Sequence, residues 1–318
     1  MKNAHVVIST EGRNLIKSLP RKIDIHEVVL RDGIQNEKKL VTTDEKIQLI
    51  NNLIECGIRR IEVSSFVNPR LVQQMADAEK LWGMISRKKG VVYAALILSK
   101  KGLERAIQCR VPHVGIYVSA SETHSRKNSN MAVADALKEA RRLIDTAHNA
   151  GMEVRAGVMN AFGCAYEGKV PEGKVIKLVR DFMKRDPDEL CLADTSGMAN
   201  PRQMKNLVNR VQDIAGGIPI SLHLHNTRGL GLANVWAALN EGVSIFDTSL
   251  GGLGGCPFIP GARGNISTED TVNMLHESGI KTGINRDKII EASLRFEQYM
   301  GQTFPAVVSH LSPCPCSS

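Results

Sequence analysis

Ile23-Asp24-Ile25-His26-Glu27-Val28-Val29-Leu30-Arg31-Asp32-Gly33-Ile34-Gln35 is where the fold is decided. Its first half is rich in β-branched residues, as a buried strand requires, and its second half is a charged turn. An open, doubly wound sheet places a glycine-rich phosphate turn after its first strand. Arg31-Asp32-Gly33-Ile34-Gln35 has one glycine and two adjacent charges, so it is no dinucleotide fingerprint.

Moving outward, β-rich segments recur at 23–30, 60–64, 91–96, 113–118, 152–159, 189–193, 219–225 and 243–250. Helical patterns begin near Thr43, Asn68, Lys100, Asn130, Gly173, Asn200, Leu230 and Thr268. Thr42-Thr43-Asp44-Glu45 reads as a helix cap and Cys56-Gly57 as the stop of the same helix. Strand and helix alternating in this way predict an α/β fold, a closed (β/α)8 TIM barrel with an extra C-terminal helical segment. The expected division is an N-terminal extension over 1–22, the barrel over 23–284 and a helical tail over 285–318.

The 318 residues suffice for a full core. Lys and Arg exceed Asp and Glu by 41 to 33, in scattered pairs rather than a stripe, and only 4% of residues are aromatic. Nucleic acid is therefore not expected as a partner. A modest positive field suits an anionic small molecule such as a nucleotide-bearing thioester. The 7 cysteines are an odd number without disulfide or zinc-finger spacing. The longest apolar run, 91–98, is too short to span a bilayer, so no membrane partner is expected. A cytoplasmic location follows, with an organelle-targeting leader left open by Lys2, Arg13, Lys17, Arg21 and Lys22.

In such a barrel the C-terminal strand ends converge on one mouth, and here they are polar. Arg31 and Asp32 end the first strand, Glu62 lies on the second, Arg155 on the fifth, Asp194 after the sixth, and His223-Leu224-His225 on the seventh. Histidines at i and i+2 face the same side of a strand. With the Asp32 carboxylate and the Asn265 carbonyl they form a mixed N/O set suited to a divalent metal; the alternative is a hydrogen-bonded structural pair. Arg31 beside them can stabilise negative charge on an enolate or carboxylate oxygen, and Glu62 and Asp194 are expected to orient it. Gly251-Gly252-Leu253-Gly254-Gly255-Cys256-Pro257 then presents a thiol on a glycine-rich loop, or else is a turn with an incidental cysteine.

Together these stretches resemble the 3-hydroxy-3-methylglutaryl-CoA lyase family. Arg31 to Glu37, Ile61 to Val67, Ser121-Glu122 with Lys127-Asn128, Gly163-Cys164 with Tyr166-Glu167-Gly168, the histidine pair and the segment from Gly251 to Asp270 carry the likeness. The glycine-cysteine segment is its most specific part. The resemblance implies Asp32, His223, His225 and Asn265 as ligands of Mg2+ or Mn2+. It implies Cys256, Arg31, Asp32 and His223 as catalytic, and Arg31, Gln35, Glu62, Arg155 and Asp194 as substrate-binding. The implied reaction cleaves a tertiary 3-hydroxyacyl-CoA to acetyl-CoA and a keto acid, a step of leucine degradation, with Cys256 moving the proton. A homodimer is expected, since closed barrels often pair through outer helices.

Leu30 replaces a frequent proline, Asn226 and Arg228 replace Asp and Tyr, and Gly157 stands where a tyrosine is expected. A glycine at 157 predicts a larger pocket and a bulkier acyl group. A Claisen-type synthase is the nearest rival, favoured by Leu30-Arg31-Asp32-Gly33 and opposed by the cysteine loop. A non-catalytic barrel binding metal or CoA is the third reading.

Overall fold

The structure, a computed structural model, describes residues 19–255 and 264–311. Eight parallel strands close into a barrel in chain order: β1 (Asp24–Glu27), β2 (Arg60–Ser65), β3 (Val92–Ile97), β4 (His113–Ser119), β5 (Glu153–Met159), β6 (Glu189–Asp194), β7 (Ile220–Leu224) and β8 (Ile245–Thr248). The seam closes where Asp24 to Glu27 pair in register with Ile245 to Thr248. Closure leaves no sheet edge, and each strand presents one face to the outer helices and the other to the interior.

The outer layer comprises α1 (Thr43–Cys56), α2 (Ala78–Met84), α3 (Lys100–Gln108), α4 (Glu122–Ser129), α5 (Val133–Asn149), α6 (Glu172–Phe182), α7 (Pro201–Ala215), α8 (Gly231–Leu239), α9 (Thr268–Glu277) and α10 (Arg286–Met300). The Thr42 side chain accepts from the Glu45 amide, as the capping sequence predicts. Gly57 ends α1 at φ 105°, where a Cβ would lie 2.2 Å from the Gly283 carbonyl oxygen. Glycine is required there both for its backbone angle and for space.

Several boundaries differ from the sequence expectation. The first strand stops at Glu27, because Val29–Gly33 winds into a π-helical turn. The helix expected near Asn68 starts at Ala78, and α4 precedes the one expected near Asn130. The segment after 285 packs against the barrel wall rather than trailing from it. Its α10 contacts α1 and α9, Phe296 and Phe304 are buried, and the Ala306 amide donates to the Gly251 carbonyl.

The barrel interior is charged. Arg155 sits low in it, with its guanidinium donating to Ser221 Oγ at 2.7 Å and to both Asp247 oxygens at 2.7 and 3.1 Å, and pairing with Glu189 at 2.7 Å. A planar five-donor group matched this fully tolerates burial, because every charge has a fixed counterpart.

At the seam a buried carboxylate joins four segments. Glu27 Oε1 accepts from the amides of Val29 and Leu250, both at 2.9 Å, and Oε2 accepts from Thr268 Oγ1 at 2.6 Å. Glu269 takes the next amide of the same loop, Gly251, on both oxygens at 2.8 and 3.0 Å. Glu27→Ala would leave two amides and a hydroxyl without their acceptor, so a loss of about 2–4 kcal/mol in stability is expected by urea unfolding.

Burial pushes Glu27 up from 4.5 to about 7 and Glu269 up from 4.5 to about 8, the latter helped by the Glu27 charge. Both groups ionise more readily in the unfolded chain, so their protonated forms favour the fold. That contribution is full below pH 4.5 and is lost as pH rises through 7 and 8. The urea midpoint is accordingly expected to fall between about pH 6 and 8.5, and less steeply in Glu269→Gln, whose side chain stays neutral throughout.

Candidate functional site

The π-helical turn sets the site. Amides of Arg31, Asp32 and Gly33 all donate to the Val28 carbonyl, at 3.1, 2.8 and 3.2 Å, tightening the chain as it leaves β1. Gly33 is forced by space, since a Cβ there would lie 2.6 Å from Ser249 Oγ on the exit from β8. The turn sets Arg31 and Asp32 side by side at the mouth. Arg31 Nη1 donates to Asp32 Oδ1 at 2.5 Å and its Nε donates to Glu62 on β2.

His223 lies on β7 and His225 one residue beyond its end, with Leu224 turned into the core. Their Nε2 atoms are 3.1 Å apart, and Asp32 Oδ2 is 3.8 Å from the first and 3.7 Å from the second. Among the described residues this is the one His/Cys/Asp/Glu group whose ligand atoms all fall within 4.8 Å of one another. Asn265 bridges to His225 and donates Nδ2 to Asp32 Oδ2 at 2.7 Å.

Three features fit a divalent cation here. His223 Nδ1 lies 3.1 Å from Asp247 Oδ2, which fixes the ring and leaves Nε2 with its lone pair toward the cluster. Two imidazole lone pairs at the observed spacing repel each other unless a proton or a cation sits between them. The buried Asn265 Oδ1 finds no hydrogen-bond donor among the described residues. Carbonyl, carboxylate and two imidazoles form a hard-to-borderline donor set that needs no thiolate.

Burial raises the Asp32 carboxyl, but the Arg31 charge and the two histidines override it and hold the group well below the usual carboxylate range. Burial likewise pulls Arg31 down, and Glu62 and Asp32 more than compensate. His223 is pushed above its ordinary value by Asp247 and Asp32, against burial. The Asp32 carboxylate thus stays ionised at neutral pH, and Arg31 stays a cation.

Not every expected residue joins this cluster. Arg155 is 2% exposed and engaged in the lower layer, away from the mouth. Asp194 accepts from the amides of Met198 at 2.8 Å and Ala199 at 3.0 Å, organising the approach to α7. Its strand β6 lies between β5 and β7, so of the two acids expected to orient Arg31 only Glu62 does so. Gln35 is half-buried in the turn after Gly33. Cys256 lies outside the described residues, as do 1–18 and the terminal Cys314 and Cys316.

The stems of the cysteine-bearing segment are described and converge on the ligands. Gly254, at φ 91°, would place a Cβ 2.7 Å from both the Asp32 carbonyl oxygen and Asn265 Nδ2. A Cβ on Gly264 would overlap the Gly254 carbonyl at 1.2 Å. The Asn226 amide donates to the Gly264 carbonyl at 2.9 Å, tying that stem to the exit of β7. Asp247 and Glu27 were not singled out in the sequence, although an acid flanked by Ile245-Phe246 and Thr248 inside a strand is a visible anomaly.

The HMGL-like family matches residues 22–294. The hydroxymethylglutaryl-CoA lyase of Bacillus subtilis is 40% identical over 287 residues, covering 90% of this chain and 96% of that one. The chain belongs to the HMGL-like family of hydroxymethylglutaryl-CoA lyases. The human mitochondrial lyase is 40% identical over 86% of this chain and 85% of its own. An HMG-CoA lyase from Acinetobacter baumannii, solved with coenzyme A and 3-methylmalate, superposes with a TM-score of 0.87 at 40% identity, covering 93% of this chain and 98% of that one. Against the family's sequence pattern, the space expected from Gly157 is filled. The Tyr117 ring from β4 lies so close that a Cβ at 157 would be 2.1 Å from its Cδ1 and Cε1.

His223→Ala is expected to abolish measurable Mn2+ binding by titration calorimetry. Asp247→Asn, which removes the charge behind that imidazole and a counter-charge of Arg155, is expected to weaken it about 10–100-fold.

Proposed function

We propose that this protein is a lyase dependent on Mg2+ or Mn2+ that cleaves 3-hydroxy-3-methylglutaryl-CoA, or a close tertiary 3-hydroxyacyl-CoA, to acetyl-CoA and acetoacetate. The observation carrying this reading is that Arg31, pinned by Glu62 and Asp32, lies beside the cluster of Asp32, His223 and His225 donor atoms. One oxygen-bearing group can therefore meet both a cation site and a fixed guanidinium. The lyase activity named for the relatives and the coenzyme A complex of the Acinetobacter enzyme support the substrate class.

Asp32, His223, His225 and Asn265 would hold the ion. A divalent cation bound by this set supplies Lewis-acid polarisation of the substrate's oxygens, so that the tertiary hydroxyl releases its proton near neutral pH. The bond between C2 and C3 breaks, C3 becomes the ketone carbon, and the electron pair remains on C2 as the enolate of acetyl-CoA. Arg31 faces the thioester oxygen on which that negative charge is spread. Cys256 donates a proton to C2, and one proton lost from the hydroxyl balances the one returned through the thiol.

The free thiols Cys56, Cys109, Cys164 and Cys191 support a reducing, cytoplasmic setting. The defining experiment supplies Mn2+-loaded protein with 3-hydroxy-3-methylglutaryl-CoA and measures acetyl-CoA and acetoacetate. Release of free CoA from acetyl-CoA plus a 2-oxo acid, without cleavage of the thioester, would instead identify a synthase. Cys256→Ser is expected to lower kcat by about 10²–10⁴ with Mn2+ affinity retained. Arg31→Lys is expected to lose about 10²–10³ in kcat, because a flexible point charge replaces a fixed fork.

A further inference from the structure

Inside the barrel, between the ligand cluster at the mouth and the Arg155 layer below, one aromatic ring spans the seam of β4 and β5. Tyr117 pairs in register with Gly157, which pairs in turn with Cys191 on β6. A Cβ on Gly157 would fall 2.1 Å from two atoms of the ring, and one on Gly115 would fall 2.8 Å from Cε2. The ring therefore lies over two glycines that leave it room, one on its own strand and one on the next. Its hydroxyl meets the buried thiol of Cys191, and its charged neighbours include Arg31 and Glu62 of the mouth as well as Arg155 and Asp247 of the floor. Tyr117 remains partly exposed while Ile116 and Val118 beside it are buried.

We propose that Tyr117 is the specificity-determining residue for the acyl group, its ring forming the wall against which the C3 substituent packs and limiting that substituent to a short alkyl chain. This rests on the lyase reading and adds to it the size of group accepted. The ring is held by shape rather than by a single bond: the glycines fix its plane, and the Cys191 contact anchors its tip. A substituent descending from the cation site meets a flat, filled surface. An apolar pocket discriminates about 10–200-fold for each methylene it cannot house, so the position of this ring suffices to select among homologues.

The test compares kcat/KM for 3-hydroxy-3-methylglutaryl-CoA and 3-hydroxy-3-butylglutaryl-CoA in the Mn2+-loaded full chain. Wild type is expected to prefer the methyl thioester. Tyr117→Ala is expected to shift that ratio at least tenfold toward the butyl thioester with Mn2+ affinity unchanged. Tyr117→Phe, which keeps the ring, is expected to keep the ratio within about threefold. Tyr117→Ala/Gly157→Tyr returns an aromatic ring from the neighbouring strand and is expected to restore the methyl preference. If Tyr117→Ala does not fold, Tyr117→Leu reads the same shift with a smaller vacancy. An unmoved ratio in folded variants that still cleave overturns this assignment alone. Failure of wild type to cleave either thioester overturns the lyase reading and this assignment with it.

Discussion

Everything at the mouth of this barrel depends on one buried carboxylate that water does not reach. Glu27 ends the first strand and takes, on two oxygens, the amide that starts the π-helical turn, the amide that follows the last strand, and the hydroxyl that opens α9. Removing a carboxylate from water costs several kcal/mol, and donors fixed by the backbone offset much of that cost. The arrangement ties the closing seam, the π-helical turn and the segment after β8 into a single unit. The start of the turn that carries Asp32 and the residue before the glycine-rich stem are held by the same side chain. Glu269 repeats the device one residue further along the chain, on Gly251.

Charge is layered below this clamp. Arg155 is locked to Asp247, Glu189 and Ser221, and Asp247 reaches up to His223. Burial alone would raise Asp247, yet Arg155 and the two histidines beside it hold it well below the usual carboxylate range. The lower layer therefore supplies an anion behind the His223 imidazole. Arg155, expected from the sequence to bind substrate, is instead engaged beneath the mouth with the carboxylate that meets His223.

The barrel was legible because alternating β-rich and amphipathic segments depend on local pattern. The pair His223 and His225 was legible because period two on a strand is strict, and Arg31-Asp32 because charges at a strand end have few other uses in this fold. The early end of β1 was not, since the room for a side chain at 33 is limited by Ser249, more than two hundred positions away, and such a constraint leaves no local pattern. Asp194 was misplaced for a related reason. Strand order decides which acid faces Arg31, and β6 is not beside β1 or β2. Tyr117 escaped notice because its meaning lies in the two glycines under it, and the absence of a side chain carries no signal until the neighbouring strand is in register.

That register makes positions 117 and 157 compete for one space. An aromatic residue can occupy the space between β4 and β5 from either strand, but not from both at once. A large residue introduced at 157 while Tyr117 is present collides with the ring, and loss of Tyr117 while 157 is glycine leaves a void. Neither single substitution is neutral, so the two sites form an epistatic pair. A lineage carrying one arrangement crosses to the other only through a poorly packed intermediate, and the pair should therefore be inherited as a block.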